Sequence, residues 1–240
     1  MSLWEAPLAP IRFEKDFYQK VKGMKQEMSK KWLRRSLSLL LVVLTFATSS
    51  LFVASAHQRY PGIALRWSVK TGGKCYLRIH NNNLKAPYTS SSNFTVAAVT
   101  WGNSCPNEIK SIVETSTSDY NINVTCPGAT TWSDLVGSTN IHYFLGFCVS
   151  LSTDNRKIMN VEDAKACSRK IKYATIYLTP HTENFASNTH IRAVMVHEIG
   201  HALCLGHTTG TSPKSIMQSP PPTTWYLPAD HDKRDITAWY

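Results

Sequence analysis

The chain has 240 residues, of which 42% are apolar, and its formal net charge at pH 7 is +10. This length allows one sizeable domain or at most two, and the apolar fraction excludes a wholly disordered chain. Residues 1–35 hold nine Lys/Arg and four Asp/Glu and so carry half of the net charge. The rest of the chain has no dense basic run, so its charge predicts a solvated surface and no nucleic-acid binding.

The N-terminal region has the three parts of an export signal. A basic cluster at 30–35 precedes an apolar stretch at 37–53, and Ala54-Ser55-Ala56 has the small-x-small pattern that signal peptidases cut. Cleavage there removes residues 1–56 and leaves one secreted domain, 57–240. The alternative is a membrane anchor, because the apolar stretch is nearly long enough to span a bilayer. The Ser/Thr residues that interrupt this stretch and the well-formed cleavage site favour removal.

All six cysteines lie downstream of this cleavage site. An even number of cysteines in an exported chain predicts up to three disulfides. No two of them form a C-x-x-C pair, so a cysteine-type zinc finger is not indicated. The six are Cys75, Cys105, Cys126, Cys148, Cys167 and Cys204.

The secreted part mixes strand and helix patterns in an order typical of an α+β fold. Alternating or β-branched runs predict strands, and apolar residues at helical spacing predict helices. The predicted strands are 75–80, 120–125, 142–149 and 171–178, and the predicted helices are 93–103, 161–168, 188–203 and 232–239. Asn93, Asn160 and Asn188 are the expected helix caps. The chain has no internal repeat, which favours a single domain.

The helix predicted at 188–203 contains the sequence His197-Glu198-Ile199-Gly200-His201. Residues four apart lie one turn apart on the same helix face, so His197 and His201 can bind one Zn²⁺ at about 2.0–2.1 Å. Glu198 is rotated by about 100° from His197 and therefore stands beside the metal without binding it. Glu198 is the candidate general base, which takes a proton from a zinc-activated water as that water attacks a carbonyl.

Two further residues extend this pattern: His207 lies six residues after His201, and Met217 follows ten residues later. With them the chain resembles the metzincin zinc peptidases, whose signature is His-Glu-x-x-His-x-x-Gly-x-x-His followed by a methionine-containing turn. The resemblance implies a zincin-like domain with a twisted mixed sheet of about five strands, an active-site helix and two further helices. It also implies that His207 is the third zinc ligand and that Met217 packs beneath the site. Within this family the chain looks most like the matrixin branch. Thr208, after the third histidine, is close to the serine usual in that branch, and the tyrosine ligand that astacins and serralysins have two residues after the methionine is missing.

The metzincin glycine position is occupied by Cys204 in this chain. That glycine usually ends the helix in a left-handed conformation, which costs a residue with a side chain about 1–2 kcal/mol. The alternative is that Gly206 takes over the turn. Cys204 itself is expected in a disulfide or as a buried thiol, in preference to a thiolate ligand of the metal.

Other family features are absent or ambiguous. The sequence between His142 and Tyr177 does not match the structural-zinc and calcium loop of matrixins, so we interpret His142, His181 and His190 as surface or core residues. No propeptide or cysteine-switch motif is found. The stretch 176–178 resembles the edge strand that pairs with substrate in this family, although an ordinary sheet strand fits it equally well. The stretch 219–225 follows Met217, where the family builds one wall of its specificity pocket.

These observations predict a secreted zinc endopeptidase that holds one catalytic Zn²⁺ and cleaves internal peptide bonds in extracellular proteins. We expect a monomer that binds protein or peptide substrates and has no membrane attachment once the signal is removed. The alternative is a zinc-bearing binding or adhesion module on the same fold with little or no turnover. The intact Glu198 speaks against that alternative, because a binding module has no need for a general base. A membrane-tethered protease is a third alternative.

Overall fold

The computed structural model describes residues 63–68, 70–140, 142–208 and 214–240. The predicted export signal, its cleavage site and the alternative membrane anchor at 37–53 lie outside these ranges. Within the described ranges, we find no helix with the length and apolar character needed to cross a membrane.

One mixed sheet forms the centre of the fold. Among the described residues, five of its strands have four to nine residues, which confirms the expectation of about five, and three more strands have two residues each. The strands are β1 (Arg66–Trp67), β2 (Lys70–Thr71), β3 (Lys74–Asn82), β4 (Ile109–Glu114), β5 (Ile122–Thr125), β6 (Gly146–Ser152), β7 (Lys157–Ile158) and β8 (Lys170–Leu178). Their order is β2-β3-β5-β8-β6-β7, with β4 beside β3 and β1 beside β8. The pairs β3–β4, β3–β5, β5–β8 and β1–β8 are parallel, and β6 runs antiparallel to both β8 and β7.

Five α-helices accompany the sheet in the part of the chain that the structure describes. They are α1 (Asn93–Ser104), α2 (Ala129–Val136), α3 (Val161–Ala166), α4 (Asn188–Ala202) and α5 (Asp230–Trp239). Helix α4 carries His197 and His201, two of the three predicted zinc ligands. Helices α1 and α5, with 12 and 10 residues, are the two further long helices that we expected. The short α3 has the predicted cap, since the Asn160 side chain accepts a hydrogen bond from the Asp163 N–H. The short α2 was not predicted.

The core lies where α1 and α4 pack together against the sheet. Alternate side chains of β3, such as Leu77 and Ile79, are fully buried, as a strand with one face on the core requires. Trp101 of α1 is also fully buried, and its indole N–H donates to the carbonyl of Val196 in α4 at 2.9 Å. Burying a side chain of this size stabilises the fold by about 1.5–3 kcal/mol. This packing fixes the helix that carries the candidate site.

Three local predictions need correction. The stretch 176–178 is not an edge strand, because it lies in β8 between β5 on one side and β6 on the other. The strand predicted at 142–149 begins only at Gly146, because residues 142–144 lie in a turn whose N–H groups bond to Asn140. The caps of α1 and α4 are Ser92 and Ser187, each one residue before the predicted Asn93 and Asn188. The Ser187 side chain accepts from the His190 N–H. Residue types indicate a strand or a cap locally, but they do not report neighbours in the sheet.

Candidate metal centre

The three histidines singled out from the sequence meet at one point. His197 and His201 project from successive turns of α4, and His207 reaches them from the loop that follows the helix. The Nε2 atom of His207 lies 3.2 Å from Nε2 of His197 and 3.1 Å from Nε2 of His201. The three rings therefore present the same nitrogen to a common centre.

The opposite ring nitrogens of the two helical histidines are held by backbone carbonyls. Nδ1 of His197 lies 2.8 Å from the carbonyl oxygen of Ile216, and Nδ1 of His201 lies 2.8 Å from that of Leu205. A carbonyl oxygen can only accept, so each Nδ1 carries the hydrogen and each neutral ring turns the lone pair of Nε2 toward the centre. Burial lowers the pKa of His197 to about 4, against the opposing effect of the Ile216 carbonyl, and so favours the neutral ring that binds metal.

This arrangement fits a zinc ion. Tetrahedral coordination with Zn–N bonds of about 2.0–2.1 Å places the ligand nitrogens about 3.3 Å apart. The two observed Nε2–Nε2 distances of 3.1 and 3.2 Å are close to that value. Lone pairs that converge on one point repel each other, and a cation between them removes that repulsion. A site with three histidines and an open fourth position is typical of catalytic zinc.

A left-handed turn at Cys204 brings His207 to the centre. Cys204 has φ of +69°, and the backbone forms two hydrogen bonds, from the Cys204 N–H to the His201 carbonyl and from the Leu205 N–H to the Gly200 carbonyl. This pair of bonds is the Schellman arrangement that commonly ends helices. The alternative turn at Gly206 is therefore wrong, because the chain reverses at Cys204 in spite of the cost of about 1–2 kcal/mol for a side chain there.

Glu198 follows His197 in α4 and is not part of the group formed by the three histidines. Its side chain is only 4% exposed, and it packs against Gly146 at the start of β6. A Cβ atom at Gly146 would lie 2.5 Å from Cγ and 2.6 Å from Oε1 of Glu198, so any larger residue would displace the carboxylate. Sequence reasoning did not single out Gly146, because nothing local relates it to the helix.

Met217 packs directly beneath the helix between the two histidines. It is fully buried, and a Cβ atom at Gly200 would lie 2.4 Å from its sulfur. The small residue in the middle of the motif therefore leaves room for Met217. The preceding residue, Ile216, supplies the carbonyl that orients His197. The turn thus supports the site by packing and by one hydrogen bond.

Asp232, which sequence reasoning missed, fastens this turn to α5. Its carboxylate is fully buried and accepts from the Ser215 hydroxyl at 2.6 Å, the Ile216 N–H at 3.0 Å and the Ala229 N–H at 2.8 Å. Its only signal in the sequence is an acidic residue in the first turn of a predicted helix, which is an ordinary helix-capping pattern. Asp232 therefore holds the backbone of Ile216, whose carbonyl orients His197.

The remaining histidines considered from the sequence separate into two groups. His190 is buried in α4, and its Nδ1 accepts from the Ala186 N–H at 3.3 Å, in agreement with its interpretation as a core residue. His142 and His181 lie together near the surface, with ring centroids 4.7 Å apart. Neither of them contributes to the donor set around His197.

Comparison with solved structures finds 72 similar chains, two of which are described here. No protein-family model and no curated protein sequence matches the chain. High choriolytic enzyme 1, a hatching enzyme zinc-protease from the medaka fish Oryzias latipes, has a TM-score of 0.38 and 11% identity over 72% of this chain and 92% of its own. Myroilysin has a TM-score of 0.38 and 15% identity over 73% of this chain and 97% of its own.

Proposed function

We propose that this chain is a secreted zinc endopeptidase of the metzincin type, similar to the matrixin branch, which cleaves internal peptide bonds in extracellular proteins. The observation that carries the proposal is the convergence of three Nε2 atoms, 3.1 and 3.2 Å apart, beside the buried carboxylate of Glu198. His197, His201 and His207 are the residues that hold the ion. Zinc bound there would polarise a substrate carbonyl and lower the pKa of a coordinated water toward about 7.

In this proposal Glu198 is the general base, and its burial next to the ligand His197 in the chain supports that role. The carboxylate is held between α4 and Gly146, so it keeps one orientation beside the donor set. There it can accept a proton from the attacking water and then donate it to the leaving nitrogen of the peptide. A zinc-binding module without turnover has no use for this buried acid, which is why an enzyme is favoured over the adhesion alternative.

Strand β6 offers a peptide-binding edge next to the site. One side of β6 pairs with β8 along its length, whereas on the other side the described residues pair only at Ser150 and Leu151, with β7. The first half of β6 therefore presents backbone N–H and carbonyl groups to which an extended peptide can add as a further strand. Because Gly146 begins this strand and contacts Glu198, a peptide bound there passes beside the donor set.

A peptide-library digestion tests the proposal. The purified mature protein should contain zinc and cleave internal bonds, and a chelator should abolish the cleavage. Glu198→Gln should keep its zinc and its fold but lose several orders of magnitude in kcat/KM, because the proton acceptor is gone. His201→Ala should lose both zinc and activity.

Two outcomes would contradict parts of this assignment. Cleavage that persists in Glu198→Gln would remove the general base, and zinc content that is unchanged in His201→Ala would remove the ligand set. Zinc binding without any hydrolysis by the wild type would favour the binding or adhesion module.

A further inference from the structure

A basic groove lies where β1 and β2 pass the start of β8. Its volume is about 450 Å³, and of the eight described residues that line it four are cationic and none is acidic. The four cations are Arg66, Lys70, Arg169 and Lys170. All four are exposed to solvent, so their charged groups are available to a binding partner.

The pairing of β1 with β8 gathers these cations from two distant segments. The two strands run parallel, with Arg66 opposite Lys170. The Arg66 N–H donates to the Arg169 carbonyl at 3.1 Å, and the Ser68 N–H donates to the Ile171 carbonyl at 2.7 Å. Neither segment is a dense basic run, which is why the sequence predicted only a solvated surface here. The concentration of charge arises from the fold.

The charge of the groove is not balanced by neighbouring acids. Among the described residues, none of the four cations forms an ion pair with a carboxylate. Asp154, in the turn after β6, accepts from the Ser168 N–H at 3.1 Å but pairs with Arg156 at 3.7 Å. Like charges that line one concave surface repel each other and attract anions. A bound polyanion removes this repulsion and releases counterions.

The basic surface continues beyond the groove itself. The turn between β6 and β7 lies beside it, because the Thr153 N–H donates to the Lys170 carbonyl at 2.8 Å. This turn leads into Arg156 and Lys157, which are both exposed. The cations therefore follow one another over a longer distance than a single sulfate or phosphate ion can contact. An extended polyanion fits this arrangement better than a small ion.

We propose that the basic groove binds an extracellular sulfated polysaccharide and so holds the protein close to its substrates. Basic patches bind nucleic acid or heparin-like polysaccharides. A DNA double helix is too stiff and too wide to enter a groove of this volume. Single strands stack on exposed aromatic rings, whereas Trp67, which lines the groove, is buried and donates its indole N–H to the Ala202 carbonyl at 2.8 Å. The choice of a polysaccharide also rests on the proposed secretion, which places the protein outside the cell.

The groove and the peptide-binding edge lie at opposite ends of β8. Lys170 begins this strand, and Leu178 ends it and pairs with Gly146 at the start of β6. A strand of nine residues at about 3.3 Å per residue separates its ends by about 25 Å. A polysaccharide in the groove therefore leaves the first half of β6 open to a peptide. Binding there localises the protein and does not alter the hydrolysis of a short peptide.

Heparin titration of the purified mature protein tests this inference. A heparin oligosaccharide is titrated calorimetrically at about 0.15 M NaCl and at higher salt. Wild type should bind it, whereas the double variant Arg66→Gln/Lys170→Gln should bind at least about tenfold more weakly and with a shallower salt dependence, because two contacts that release counterions are lost. The unfolding curve of this variant and its hydrolysis of a short uncharged peptide should match those of the wild type.

The matched control is Lys85→Gln/Arg234→Gln, which removes the same charge from two exposed residues outside the groove. This variant should bind heparin with wild-type affinity. Equal losses in the two double variants would overturn the groove, as would wild-type affinity in Arg66→Gln/Lys170→Gln or a wild type that does not bind heparin. Equal affinity of the wild type for a DNA duplex of the same charge would overturn the choice of a polysaccharide. Heparin binding without any peptide hydrolysis would contradict the proposed peptidase and support the groove.

Discussion

At the scale of single residues, the absence of a side chain at Gly146 leaves room for Glu198, the proposed general base. The space that a Cβ atom would fill is occupied by Cγ and Oε1 of Glu198, at 2.5 and 2.6 Å. Real Cβ atoms do not approach other atoms this closely, so a side chain at position 146 would force the Glu198 side chain to move. Displacing a catalytic group by about 1 Å can cost about 100-fold in rate.

We therefore expect Gly146→Ala to lower kcat/KM by about 100-fold and to leave zinc content unchanged, because the added methyl group moves Glu198 but not the histidines. Peptide hydrolysis and metal analysis of the purified variant check this. Gly128→Ala is the matched control, since no atom lies within 4 Å of the added Cβ and its φ is −63°. Equal activity of the two variants would contradict the role of Gly146.

Cys204 has an unusual backbone conformation for a residue with a side chain, with φ of +69°. Its left-handed conformation is unfavourable for a cysteine by about 1–2 kcal/mol, and a disulfide contributes about 2–4 kcal/mol, which is enough to offset it. Cys75 is the partner that we propose. It is buried at the start of β3, and burial, and then Cys204, raise the pKa of the Cys75 thiol to about 12. The Tyr240 hydroxyl donates to the Leu203 carbonyl at 3.2 Å. Burial, and then Cys204 and Cys75, raise the pKa of Tyr240.

In oxidised protein we expect a disulfide between Cys75 and Cys204. Mass mapping of a non-reduced digest should show the two peptides joined, and reduction should weaken zinc binding because the segment carrying His207 is released. A Cys204 peptide that is alkylated after unfolding without reductant would rule the bridge out. The pairing of the other four cysteines stays a prediction.

At the scale of elements, α5 stabilises the turn under the metal centre although it contributes no ligand. The link is the buried carboxylate of Asp232, which accepts from Ser215, Ile216 and Ala229, while the Ile216 carbonyl orients His197. Groups that orient metal ligands in this way typically change metal affinity by 10–100-fold when they are removed. Helix α5 thus helps to hold His197 in its orientation, although it lies after all three ligands in the sequence.

We expect Asp232→Asn to lower zinc affinity by roughly 10–100-fold and the free energy of unfolding by about 2 kcal/mol, because an amide N–H group replaces an oxygen that accepts hydrogen bonds. Zinc titration and denaturant unfolding measure the two effects separately. Asp230→Asn is the control, since Asp230 begins the same helix with a side chain that is 93% exposed. Wild-type zinc affinity in Asp232→Asn would show that the turn holds His197 without this carboxylate.

At the scale of the whole molecule, the described residues form one mixed sheet with its helices, and the predicted export signal precedes them. We expect protein recovered from the medium to begin at or near His57, because Ala54-Ser55-Ala56 is a well-formed cleavage site. N-terminal sequencing measures this, and Ala56→Lys should block the cut. Recovery of residues 37–53 in a membrane fraction of wild-type cells would favour the tethered protease.

The sequence by itself determined the parts of the site that depend on helical periodicity. His197 and His201 face one way and Glu198 stands aside because the α-helix has a fixed angle per residue. The α+β class followed for the same reason, since periods of two and about 3.6 residues distinguish strands from helices. The motif with His207 indicated the third donor, but its spacing left the turn that delivers it open between Cys204 and Gly206.

Only the tertiary structure decided which distant segments meet. The sheet order places β6, and not the stretch 176–178 of β8, at the edge beside the site, because pairing partners are chosen by the whole sheet. Gly146 against Glu198 and Asp232 beneath the Ile216 turn are contacts between residues far apart in the chain. Local residue patterns do not predict such contacts, because the contacts form only when all the elements pack around the common core.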